Sequence, residues 1–78
     1  MVKAYVLIQL EGIDASKAAK EITSIEEVEN AHLLYGEYDI IAVVNTKTLV
    51  QLKELALSKI SKVKGVAKTS SLIVADEE

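Results

Sequence analysis

Cysteine is absent from this 78-residue chain, which excludes a disulfide framework and any thiolate metal site. Arginine is absent as well: the nine cationic residues are all lysines, set against twelve acids for a formal net charge of −3. Arginine is the preferred residue for bidentate reading of guanine or phosphate, so direct nucleic-acid binding by these residues is not expected. The single histidine, His32, has neither a cysteine nor a second histidine to pair with. A structural or solvent-facing role is expected for it, and no catalytic residue, metal site or cofactor. Gly12, Gly36 and Gly65 stand isolated, so there is no glycine-rich loop to cradle a phosphate. No apolar run approaches the roughly 20 residues of a membrane span, and the N-terminus lacks a signal-peptide pattern. A cytoplasmic protein with no membrane partner is the expectation.

What the chain does contain is apolar: half of it is hydrophobic. At this length a domain is near the small end of what folds without staples, so self-association is already suggested as a way to complete the burial. The basic residues are uneven. Lys47, Lys53, Lys59, Lys62, Lys64 and Lys68 crowd a stretch in which Glu54 is the only acid. A solvated helix face, with cations placed favourably near a helix C-terminus, accounts for them.

Taken in order, Val2, Ala4, Val6, Ile8 and Leu10 form one apolar face of a first strand, and Tyr5 and Leu7 make the other face largely apolar. Asp14 is suited to cap a helix whose inner positions are Ala15, Ala18, Ala19 and Ile22. Ser24-Ile25-Glu26-Glu27 matches a capping box and predicts one further turn before the second strand. A second strand is predicted from about Val28 to Tyr35, then a bend at Gly36, then a third strand from Asp39 to Asn45 with no polar alternation. Thr48-Leu49-Val50-Gln51 opens a second helix with Leu49, Leu52, Leu55, Ala56 and Ile60 as its apolar stripe. Lys62, Lys64 and Gly65 are expected to close it. Val66 to Ala75 reads as the last strand, and Asp76-Glu77-Glu78 as a frayed acidic end.

The order strand, helix, strand, strand, helix, strand predicts an α+β, ferredoxin-like βαββαβ fold. It has a four-stranded antiparallel sheet with two helices on one face. Such an arrangement leaves the other face bare, yet the first and third strands are apolar on both sides. Strands of that kind are normally buried on both faces. Sheet-to-sheet association into a dimeric α/β barrel is the simplest resolution, and at least a homodimer is expected.

The stretch Leu34-Tyr35-Gly36-Glu37-Tyr38-Asp39-Ile40-Ile41, Gly65-Val66 farther on, and then Thr69-x-Ser71 resemble the C-terminal effector domain of the Lrp/AsnC transcription regulators, often called the RAM domain. The similarity extends over essentially all of residues 1–78. It implies a sheet-to-sheet dimer, frequently built further into a ring of dimers, and a free amino acid as effector. The ligand-binding positions it implies are Gly36, Glu37, Tyr38, Asp39, Thr69 and Ser71. Tyr35 departs from the small hydroxyl residue common in the family, and Lys64 from a frequent proline. The family's N-terminal helix-turn-helix has no counterpart in this sequence, so a single stand-alone effector-binding domain is expected.

An amino-acid carboxylate would then be held by backbone N–H groups at the Gly36 bend and by the hydroxyls of Thr69 or Ser71. Asp39 would accept from the ammonium. The expected function is amino-acid-dependent regulation, as a stand-alone sensor or modulator of transcription regulators or amino-acid metabolism. Two other readings compete: a small dimeric α/β-barrel enzyme, and a ligand-free assembly partner of full-length regulators. The wholly apolar inner face of the first strand argues against the enzyme.

Overall fold

In the first strand every second side chain is buried, and the alternation fixes which way the sheet faces. A computed structural model describes residues 1–75. These form β1 (Val2–Leu10), α1 (Ala15–Thr23), β2 (Val28–Leu33), β3 (Ile40–Thr46), α2 (Leu49–Glu54, continued by a π-helical segment Leu55–Ile60) and β4 (Val66–Ile73). The strands make one antiparallel sheet in the order β2-β3-β1-β4. Each helix crosses from one strand to another that is not its neighbour, and the ferredoxin-like architecture results. The expected end Asp76-Glu77-Glu78 lies outside the described residues.

Ala4, Val6 and Ile8 of β1 are fully buried and pair with Val44, Ala42 and Ile40 of β3. Against them pack Ala18 and Ile22 of α1, Leu52 of α2, and Leu55 and Ile60 of the π segment. Each fully buried Ile or Leu contributes about 1.5–3 kcal/mol relative to exposure. Asp14 caps α1 as expected, its Oδ1 accepting the Ser16 N–H at 2.8 Å. Thr48 caps α2 by accepting the Gln51 N–H at 3.2 Å, and Gln51 Oε1 reaches back to accept the Lys47 N–H at 3.0 Å. This is capping-box logic with the return bond one residue earlier.

Four local expectations are corrected. A turn does precede β2, closed by the Val28 N–H donating to the Ile25 carbonyl at 3.1 Å, but Ser24 does not cap it; Ser24 is the C-cap of α1, its N–H directed to the carbonyls of Lys20 and Glu21. A Ser-x-x-Glu pattern directly after a helix competes with the preceding helix's own unsatisfied carbonyls, and here those win. The strand β2 stops at Leu33 and β4 at Ile73, both short of the predicted ends. The second helix closes at Ser61 rather than at Lys62–Gly65, and Leu49 stays 45 % exposed. Finally, its second half is not α-helical: the Ser61 N–H donates to the Ala56 carbonyl, five residues back, at 3.1 Å. In an α-helix Leu55 and Ile60 would point about 140° apart. The wider π turn brings both onto the buried face.

Gly65 is needed for space, not for ending the helix. Its φ is +90°, and a Cβ there would lie 2.1 Å from Ile13 Cγ2. Its carbonyl accepts the Glu11 N–H at 2.8 Å, tying the turn before β4 to the end of β1. On the uncovered side of the sheet, Tyr5 pairs with Val43 and Leu7 with Ile41. All four are half-buried, and Leu72, opposite Tyr5, is 54 % exposed.

Candidate functional site

The link from β2 to β3 runs over one end of the sheet, closed by the Leu34 N–H donating to the Asp39 carbonyl at 2.8 Å. Gly36 has φ +139° and nothing within 4 Å of a would-be Cβ. Glycine is required there by backbone direction rather than by crowding. Gly36 and Glu37 are exposed, Tyr38 and Asp39 half-buried, and Tyr35 is fully exposed.

The bend is clamped onto the end of β1. The Asp39 N–H donates to the Ile8 carbonyl at 2.9 Å, and Asp39 Oδ2 accepts the Leu10 N–H at 2.7 Å. Gln9 Nε2 donates to the Glu37 carbonyl at 3.0 Å. Among the described residues, the N–H groups of Gly36, Glu37 and Tyr38 have no hydrogen-bond partner. Unpartnered donors in succession at a bend suit an anion.

Thr69 and Ser71 are on β4, across β1 from the bend. Thr69 pairs with Ile8, which pairs with Ile40, so Thr69 stands in the same row as the start of β3. Ser71 pairs with Val6, one pleat farther from the bend. Two interstrand spacings, roughly 9–10 Å, separate β4 from β3. By pairing, both hydroxyl residues share the helix side of the sheet, while Ser70 and Leu72 share the open side with Leu7 and Tyr5. The structure thus gathers Gly36, Glu37, Tyr38 and Asp39 in one bend and brings Thr69 level with it. Ser71 it places one pleat farther on, with β1 between it and the bend. Gln9 and Leu10 were not singled out from sequence. Their partners lie 28 and 29 residues away, and only the β1–β3 register reveals the pairing.

A cleft of about 520 Å³ does exist, at the opposite end of the sheet, among Glu26, Glu27, Thr46, Leu55, Ser58 and Lys59. It contains none of the sequence-derived positions. Its principal charges answer each other: Lys59 Nζ contacts both carboxylate oxygens of Glu27 at 3.0 Å. That hydrogen bond holds the Glu27 carboxyl below its ordinary pKa, with a bond to its own backbone N–H helping and burial opposing. His32 is exposed on the open side of β2, opposite Ile41.

The family model for the Lrp/AsnC ligand binding domain matches residues 3–78. The chain belongs to that family. It is 27 % identical over 73 residues to an uncharacterized HTH-type transcriptional regulator of Pyrococcus furiosus, a match covering 90 % of this chain and 49 % of the relative. The Lrp/AsnC domain described here therefore spans about half the length of the curated relatives it matches. A hypothetical protein from Pyrococcus horikoshii shares its structure at a TM-score of 0.88 and 32 % identity, over 99 % of this chain and 93 % of that one. A transcriptional regulator of Neisseria meningitidis, solved as its L-Met complex, shares the fold at a TM-score of 0.86 and 19 % identity. That match covers 97 % of this chain and 51 % of the regulator.

Proposed function

We propose that this Lrp/AsnC domain is a sensor of free amino acids, acting as an oligomer to modulate transcription regulators or amino-acid metabolism rather than as an enzyme. The bend supplies one part of the ligand site, Gly36, Glu37, Tyr38 and Asp39, and β4 supplies the other, Thr69 and Ser71. Because β1 separates those two parts within one chain, a second copy completes the site. The observation that carries this reading is the bend, with three successive unpartnered N–H groups among the described residues, in a domain whose family is defined by ligand binding. An amino-acid carboxylate matches such donors, and the Neisseria relative's L-Met complex makes an amino acid the ligand class to test first.

The open sheet face supports the assembly. Tyr5, Leu7, Ile41 and Val43 form an apolar patch, and burying such surface against a second sheet is worth about 25 cal/mol per Å². An enzyme of the same architecture would want polar groups between helices and sheet. Here that space is filled by Ala4, Val6, Ile8, Ala18 and Ile22, and Thr46 is the buried polar residue among those described.

A thermal-shift screen of the full chain against each standard L-amino acid at millimolar concentration tests the reading. Ligand at about 100 times its Kd should stabilise the fold by about 2.7 kcal/mol, on the order of ten degrees in Tm for a domain of this size. Ser71→Ala should reduce binding by no more than the roughly 0.5–1.5 kcal/mol of one neutral hydrogen bond. His32→Ala should leave it unaltered. If no amino acid moves either Tm or assembly size, the sensor role fails and the assembly-partner role takes its place.

A further inference from the structure

Three consecutive residues at the end of β1 each hold a different piece of chain. Gln9 holds Glu37 through its side chain, Leu10 holds Asp39 through its N–H, and Glu11 holds Gly65 through its N–H. The β1–β3 pairing ends at Ile8–Ile40, and the β1–β4 register slips between Gln9 and Leu10. Leu10 therefore has no strand residue of β3 opposite it, and its half-buried N–H is satisfied by a side chain instead. The same Asp39 also bonds Ile8 through its backbone. Asp39 extends the sheet by one residue, with its carboxylate standing where a ladder carbonyl would be.

We propose that Asp39 and Gln9 are positioning residues of the ligand site, and that the ammonium of a bound amino acid is taken by Glu37. This rests on the amino-acid-sensor reading and reassigns the acids within it. With Asp39 Oδ2 committed to Leu10, the bend presents N–H donors to the ligand's carboxylate. Asp39 is half-buried, whereas Glu37 is the exposed acid of the bend, and among the described residues its carboxylate has no hydrogen-bond or ion-pair partner. Gln9 fixes the Glu37 backbone, so the Glu37 side chain starts from a held position. A carboxylate with free lone pairs, tethered beside the anion-binding donors, suits a ligand carrying ammonium and carboxylate on one carbon.

The discriminating variants are Asp39→Asn, Asp39→Ala, Glu37→Gln and Gln9→Ala, each in the full chain. An Asn side-chain oxygen accepts the Leu10 N–H as the Asp oxygen does, whereas Ala cannot. In ligand-free protein the Leu10 amide should exchange slowly in wild type and in Asp39→Asn. In Asp39→Ala it should exchange about tenfold faster or more. Calorimetric titration with L-methionine, and with whichever standard L-amino acid most raises the wild-type Tm, reads the second half. Asp39→Asn should stay within about threefold of wild-type affinity, while Glu37→Gln, Asp39→Ala and Gln9→Ala should each lose about tenfold or more. The reverse pattern, with Asp39→Asn crippled and Glu37→Gln intact, would show that Asp39 meets the ligand and would overturn the assignment. Unchanged Leu10 exchange in Asp39→Ala would overturn it as well. A wild type that answers no amino acid sinks the sensor reading and the Glu37 role together, and the Leu10 exchange then decides alone whether Asp39 holds the bend.

Discussion

Gly65 and Glu27 show how single residues carry unequal weight in so small a fold. At Gly65 a methyl group would both force an L side chain into φ +90° and collide with Ile13. Ile13 packs against the core from the loop before α1, so it cannot withdraw without opening that edge. Gly65→Ala should therefore cost about 2 kcal/mol or more, at the upper end of ordinary substitutions, read as a lower urea midpoint with an unchanged slope. Glu27 works through charge. Its folded-state pKa is depressed by Lys59, so its contribution is present above the unfolded pKa and is lost as pH falls through the folded value. The side chains are 32 % and 51 % exposed, which limits the pair to about 1 kcal/mol at most. Urea titrations of wild type and Lys59→Met should differ slightly at neutral pH and converge below roughly pH 4. A gap that widened on acidification would contradict this.

At the scale of one element, the second helix is the informative case. Its apolar residues Leu52, Leu55 and Ile60 would spread over an arc of about 140° in a regular α-helix, and all are buried. The π segment reconciles them by absorbing one residue more than an α turn. Removing that residue should restore an α-helix. Deleting Ser58, which is exposed, would place the isoleucine four residues after Leu55 and keep it facing the sheet. The deletion variant should fold with its Tm within a few degrees of wild type and with a slightly stronger helical circular dichroism signal. Deleting Leu52, by contrast, removes a core side chain and shifts the whole stripe, and should unfold the domain. A Ser58 deletion as damaging as the Leu52 deletion would show that the π turn itself is required.

For the whole molecule, the decisive feature is the uncovered sheet face. The register places Leu7 opposite Ile41 and Tyr5 opposite Val43, on the side away from both helices. A charge there would not disturb the core of one protomer, but would be desolvated in a sheet-to-sheet contact. Leu7→Asp or Val43→Asp should therefore yield a folded monomer, while wild type sediments as a dimer or larger at micromolar concentration. A wild-type mass of 8.5 kDa at that concentration would rule out the proposed assembly and, with it, a site completed between copies.

The sequence by itself determined the element order, the two helix N-caps and the inner faces of β1 and β3. Each of these is a local matter of period, cap chemistry or glycine placement. Alternating Val2, Ala4, Val6, Ile8 and Leu10 can be read without knowing what they touch, and so can Asp14 before an alanine-rich helix. The position of the bend was equally legible, since Gly36 lies between two apolar runs. Its chemistry was not. Nothing near Asp39 in the chain indicates that its carboxylate is taken by Leu10, because that bond depends on where the β1–β3 ladder ends. The π turn was hidden for the same reason: burial of Ile60 against the sheet outweighs the local preference for α geometry. Nor does the spacing of Thr69 and Ser71 indicate how far they stand from the bend. Only strand order decides that, by placing β1 between them.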